Sequence, residues 1–138
     1  MDNTFQLISK INDKMRQFIT EELSKNGVND LVSAHGSIIL ALNHNEDVKL
    51  LDLAKKTGRS PQTMTTLVRK LENEGYVQIR KADHDKREKI VSLTSKGKDF
   101  IPVMNSISLD LLKKQYKGLN DKEQFVLREL LQKVLHNF

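Results

Sequence analysis

The 138-residue chain has no cysteine, so it can form neither a disulfide framework, a thiolate metal site nor a cysteine redox sensor. That fits a reducing cytosol. No apolar run approaches the roughly 18 residues of a membrane-spanning helix. The opening stretch MDNTFQLISKINDK begins with an acidic residue and carries charges throughout, whereas a signal peptide needs basic residues followed by an unbroken apolar core. The expectation is a soluble, cytoplasmic protein with no membrane partner. Internal repeats, low-complexity tracts and flexible linkers are also missing, so residues 1–138 read as one domain. Enough apolar material remains to fold it, since Leu, Ile, Val and Phe supply about 30% of the chain, above the range that reads as disorder.

Charge is distributed unevenly along the chain. The net charge is +5, but between Lys55 and Lys98 there are 12 Lys and Arg against 5 Asp and Glu, a local +7, while the rest of the chain carries −2. A basic middle between near-neutral ends suggests that one segment faces a polyanion.

Periodicity places that segment in context. Phe5, Ile8, Ile11, Met15, Phe18, Ile19 and Leu23 recur at helical spacing, and KNGVND ends this helix with Gly27 at a left-handed position. A second helix covers about Leu31 to Asn43 and is apolar on more than one side. After the turn NHNED, a short VKL leads into Leu51–Thr57, then GRSP, then a helix from Pro61 to Glu74. Ser60 before Pro61 is a helix start with a mechanism: the hydroxyl accepts from a free amide, and proline at the first helical position loses no hydrogen bond. Gly75 stops the helix and Tyr76 can fold back on its last turn. Val77 and Ile79, then Val91 and Leu93, alternate as in two strands, and Ala82 to Glu88 join them as a long charged loop. Two more helices follow, the first interrupted by Pro102, which should kink it, and the second with Asp121 as a candidate N-cap.

Two short helices joined by a tight turn and followed by a hairpin make a winged helix-turn-helix pattern. Ala54 is small where the helices cross, Gly58 suits the turn, and Met64, Leu67, Val68 and Leu71 form the inward stripe of the second helix. Ser60, Gln62, Thr63, Thr65, Thr66, Arg69 and Lys70 are left as candidate DNA contacts. An exposed helix is commonly rich in Glu and Lys, whereas this one begins with Gln and three Thr, weak helix formers able to meet phosphates and thymine methyls. Arg69 could pair with guanine or contact a phosphate, and Lys70 suits a phosphate.

The segment LLDLAKKTGRSPQTMTTLVRKLENEGYVQIRKADHDKREKIVSLTSKG resembles the DNA-binding lobe of the MarR family of bacterial transcriptional regulators. Its most specific part is the wing, where Asp85, Arg87, Leu93, Thr94 and Gly97 match D-x-R, five residues, then L-T-x-x-G. The resemblance implies a mainly α fold with a small β-hairpin wing, built as a winged helix-turn-helix lobe (residues 31–97) and a helical dimerisation lobe (residues 1–28 and 98–138). It also implies a homodimer on double-stranded DNA, a recognition helix in the major groove and a wing reaching the minor groove through Asp85, Lys86 and Arg87. Within that motif Arg87 makes the groove contact and Asp85 pairs with it to hold its direction.

Many relatives bind small molecules between the two lobes. Met15, Phe18 and His35 could line such a pocket for a small-molecule effector, or could be ordinary core. His35, His44, His84 and His136 form no HExxH pair and have no cysteine to complete a zinc set. SKGKDF lacks the features of a phosphate-binding loop, and no Ser, His and Asp arrangement stands out. No catalysis, metal or cofactor is expected. The rival reading is a winged-helix interaction module docking an acidic protein surface.

Overall fold

The computed structural model describes residues 1–43 and 47–138. His44 and most of the turn NHNED lie outside the described residues. In order, the elements are α1 (Thr4–Lys25), α2 (Ser33–Leu42), β1 (Val48–Lys49), α3 (Leu50–Thr57), α4 (Pro61–Asn73), β2 (Val77–Lys81), β3 (Lys89–Leu93), α5 (Ser95–Gln115) and α6 (Asp121–Leu135). Both ends are long helices, and the β-structure is confined to the centre.

The hairpin belongs to a three-stranded antiparallel sheet in the order β1-β3-β2. VKL, whose first two residues make β1, has too little length for its alternation to register as a strand. Val48 pairs with Val91 and Lys49 with Ile90, so β3 is central and both Ile90 and Val91 are buried. At the free edge, β2 is blunted by α4: Glu72 Oε2 accepts from the Ile79 amide at 3.2 Å, satisfying a donor that would otherwise invite another strand.

The core gathers Leu23 and Leu31, the inner face of α2 (Ile38, Ile39, Leu42), Leu53 and Ala54 of α3, Met64, Val68 and Leu71 of α4, and Phe100, Ile101, Met104 and Ile107 of α5. This is the inward stripe read from the periodicity of α4, with Leu67 packed against its rim. One sequence expectation shifts by a residue. Asn120, not Asp121, caps α6: its side chain accepts from the Glu123 amide at 2.9 Å while Glu123 Oε2 accepts from the Asn120 amide, a reciprocal box that Asp121 at the first helical position cannot make. Pro102 lies inside α5, which continues as a helix to Gln115.

The L-T-x-x-G motif joins the wing to α5. Thr94 Oγ1 donates to the Gly75 carbonyl at 2.6 Å and accepts from the Gly97 amide at 3.2 Å, capping α5. A Cβ on Gly97 would run into the Tyr76 carbonyl oxygen, so glycine is needed where the first turn of α5 meets the backbone just before β2.

The other ends of the long helices are apolar and bare. Phe5, Ile8 and Ile11 of α1, Leu109 and Leu112 of α5, and Phe125, Leu130, Leu131 and Leu135 of α6 are exposed. No residue of α6 is buried. A helix that places this much apolar surface in water finds no partner for it among the described residues.

Candidate nucleic-acid interface

The site is built on the turn between α3 and α4. Gly58 takes φ 66°, the left-handed conformation that closes α3, and the Arg59 amide donates back to the Ala54 carbonyl at 2.9 Å. Ser60 then caps α4, its Oγ accepting from the Thr63 amide at 3.1 Å, with Pro61 next. The start of α4 is therefore held by the residues that also form its candidate contact surface.

Gln62, Thr63, Thr66 and Arg69 are exposed, whereas Thr65 and Lys70 are half-buried on the flanks. Thr65 Oγ1 donates to the Pro61 carbonyl at 2.8 Å and Thr66 Oγ1 to the Gln62 carbonyl at 3.2 Å. These bonds fix both threonines and leave their methyl groups for apolar contact, as a thymine methyl requires. Arg69 has no ion-pair partner among the described residues. Lys70 differs: its Nζ is 3.2 Å from Glu74 Oε1, so its charge is partly committed along the helix.

In the wing, Ala82 to Glu88 form the expected loop, with more internal order than its charge suggests. The Ala82 amide donates to the Glu88 carbonyl at 2.9 Å and the Glu88 amide to the Asp85 carbonyl at 3.0 Å. Without DNA, Asp85 makes a contact other than the guanidinium pair that the family motif implies. Its Oδ1 accepts from the backbone amide of Arg87 at 2.9 Å, and among the described residues the Arg87 guanidinium pairs with no carboxylate. Asp85 thus shapes the turn that carries Arg87, through an Asx-type bond between residues two apart. Lys86 and Arg87 are exposed beside it.

Sequence reasoning missed two ion pairs that surround the wing. Lys49 Nζ lies 3.2 Å from Glu88 Oε1 and Arg80 Nη2 lies 2.9 Å from Asp47 Oδ2. Both span the sheet and become visible only once β1 is placed beside β3. Lys96, another residue of the basic segment, is also engaged: its Nζ donates to the Glu74 carbonyl at 2.6 Å and sits 4.4 Å over the Tyr76 ring.

Behind α4, a cleft of about 500 Å³ opens between Arg16, Gln17 and Thr20 of α1, Ser33 of α2, Arg59, and Thr63 of α4. Met15, Phe18 and His35 are not among its lining residues. His35 is instead buried at the start of α2, where its Nδ1 accepts from the Val32 amide at 3.0 Å. Valine has no side-chain acceptor, so His35 supplies the cap that α2 otherwise lacks. Burial, then the nearby charges of Lys70 and Arg59, hold its imidazole below the usual range, consistent with a neutral ring accepting at Nδ1. Among the described residues no group of three His, Cys, Asp or Glu could hold a metal, and no helix is long and apolar enough to cross a membrane.

Helix, glycine turn, exposed second helix and a hairpin wing on a three-stranded sheet define a winged helix-turn-helix protein. The comparisons agree. Residues 27–88 match the model described as the MarR family. The transcriptional regulator SarZ of Staphylococcus haemolyticus is 27% identical over 109 residues, 79% of this chain and 74% of that protein. The S. aureus MepR–DNA complex superposes with TM-score 0.92 at 21% identity over 100% of both chains. A mutant MarR from E. coli complexed with operator DNA gives TM-score 0.85 at 25% identity over 94% of this chain and 91% of that one. The central segment is thus similar to the MarR family of transcriptional regulators, and the chain as a whole shares the fold of MarR and MepR.

Proposed function

We propose that the protein is a homodimeric repressor that binds a pseudopalindromic operator and releases it on binding a small molecule. Residues 31–97 form its DNA-binding lobe, and residues 1–28 and 98–138 its dimerisation lobe. The observation that carries the reading is the division of the surface. The exposed face of α4 and the wing share the basic segment, while the bare apolar faces lie on α1, α5 and α6. Two copies joined through those helices bury apolar surface that one copy leaves in water, and present two recognition helices related by symmetry.

In this arrangement α4 enters the major groove, with Gln62, Thr63, Thr66 and Arg69 toward base edges and Ser60, Thr65 and Lys70 toward its flanks. The wing carries Lys86 and Arg87 to the neighbouring minor groove, with Asp85 shaping its tip. Half-sites fall about one helical turn, ~34 to 36 Å, apart. A dimer seated across them excludes polymerase from that DNA, so occupancy represses. The cleft supplies the response: Thr63 belongs both to its lining and to the exposed face of α4, so an occupant competes with or tilts the recognition helix. The DNA it reads lies in the cytoplasm.

Selection from random-sequence duplexes, followed by mobility shift, tests the reading. An inverted-repeat site should be enriched. With roughly 6 to 10 phosphate contacts, affinity should fall on the order of 10³ to 10⁵ between about 50 and 200 mM salt. No enriched sequence, together with retention on an acidic protein surface, would replace it with the interaction-module reading.

A further inference from the structure

We infer that Glu88 is a positioning residue for the wing, holding the tip that carries Arg87 against strand β1 through a Lys49–Glu88–His84 clasp. The inference rests on the wing being a DNA contact. Three observations meet at this residue. Its main chain joins the two ends of the loop and ties down its middle, accepting from the Ala82 amide at 2.9 Å and donating to the Asp85 carbonyl at 3.0 Å. Its Oε1 is 3.2 Å from Lys49 Nζ, on a strand outside the hairpin. Its Oε2 is shielded from solvent without a hydrogen-bond partner, and His84 Nε2 lies 2.7 Å away, at bonding distance but not at bonding angle.

An exposed ion pair on its own contributes little. Glu88 is in a different position, because a carboxylate oxygen shielded from water needs a donor, and a small rotation of the His84 ring provides one. The carboxylate then bridges the sheet on one side and the loop tip on the other. A loop of this length without Gly or Pro has considerable entropy to lose when Arg87 meets DNA. Anchoring its end before contact removes part of that cost. This also accounts for an acidic side chain beside Arg87 in a surface that faces a polyanion: Glu88 spends its charge on Lys49 and His84.

The test compares Glu88→Ala, Glu88→Lys and the charge swap Lys49→Glu/Glu88→Lys with wild type. In the DNA-free protein, ¹⁵N heteronuclear NOE values at the Lys86 and Arg87 amides should fall in both single variants and recover in the swap, while those of α4 stay constant. On a duplex selected by the wild-type protein, hydroxyl-radical protection of the flanking minor grooves should be lost in the single variants and restored in the swap, with central protection retained. Unchanged tip order in Glu88→Ala, or tighter binding by Glu88→Lys with full flank protection, overturns the clasp and leaves Glu88 as a mere repulsive charge. Failure of the wild-type protein to select any duplex would instead overturn the DNA-contact reading, with the NOE comparison still deciding the clasp.

Discussion

Asp85 offers a sharp test of how the wing works, because two accounts of its carboxylate predict different orders of affinity. If it pairs with the Arg87 guanidinium, Asp85→Asn and Asp85→Ala lose the same ion pair and should weaken binding alike. The structure instead has Oδ1 accepting from the Arg87 amide at 2.9 Å, a bond that the asparagine oxygen can also accept. Asp85→Asn should therefore keep the turn, and Asp85→Ala should lose it. Both remove one negative charge from the DNA-facing tip, so relief of repulsion cancels in the comparison between them. One such hydrogen bond contributes about 0.5 to 1.5 kcal/mol. With two wings engaged in a dimer this doubles, so Ala should bind roughly 5- to 150-fold more weakly than Asn. Fluorescence anisotropy with a labelled selected duplex, at one fixed salt concentration, measures the difference. Equal affinities for Asn and Ala, both below wild type, would refute the backbone account and restore the guanidinium pair.

Arg87→Ala should flatten the slope of log affinity against log salt by about 1.8 for two cations withdrawn from the minor groove per dimer, and Arg80→Ala should change it less, because Arg80 is already paired with Asp47; equal slopes for the two would contradict the assignment. Burial lowers the pKa of His35 in the fold, so its neutral form is favoured there. The stability this gives is complete above the unfolded value of about 6.5 and is lost as pH falls through the lowered folded pKa. Urea midpoints across that range should show the loss in wild type and not in His35→Gln, which keeps an acceptor but does not titrate. Gly97→Ala forces a methyl against the Tyr76 carbonyl oxygen and should cost about 1 to 3 kcal/mol, lowering Tm by roughly 3 to 15 °C; an unchanged melting curve by circular dichroism would show that the backbone there yields freely. Leu130→Lys on the bare face of α6 should leave the monomer fold intact and weaken dimerisation by about 3 to 6 kcal/mol, two side chains per dimer. Sedimentation that shows a wild-type dimer unaffected by the substitution would place the interface elsewhere.

Much of the site was legible because its signals are local. Ser60–Pro61, the glycine turn at Gly58 and the spacing of Met64, Val68 and Leu71 each depend on neighbours within one or two helical turns, and all hold in the fold. The same is true of the loop from Ala82 to Glu88, bounded by strands whose alternation is plain. What escaped depends on distant partners. Two residues cannot show a period, so β1 was invisible, and with it the partners of Glu88 and Arg80. The roles of Asp85 and His35 escaped for another reason: each carries out a short-range backbone contact that side-chain type alone does not distinguish from an ion pair or a ligand contact.

Which helices form, where the turn and wing fall and where positive charge collects all follow from capping, periodicity and composition, which act over a few residues. Which of those charges are committed and which remain for a partner depends on the folded arrangement. Lys49, Lys70 and Arg80 find carboxylates, two of them across the sheet, whereas Arg69 and Arg87 pair with none among the described residues. Ion pairing depends on distances of a few ångströms between side chains, and those between Lys49 and Glu88 and between Arg80 and Asp47 join residues more than 30 positions apart, whose proximity the chain acquires only by folding.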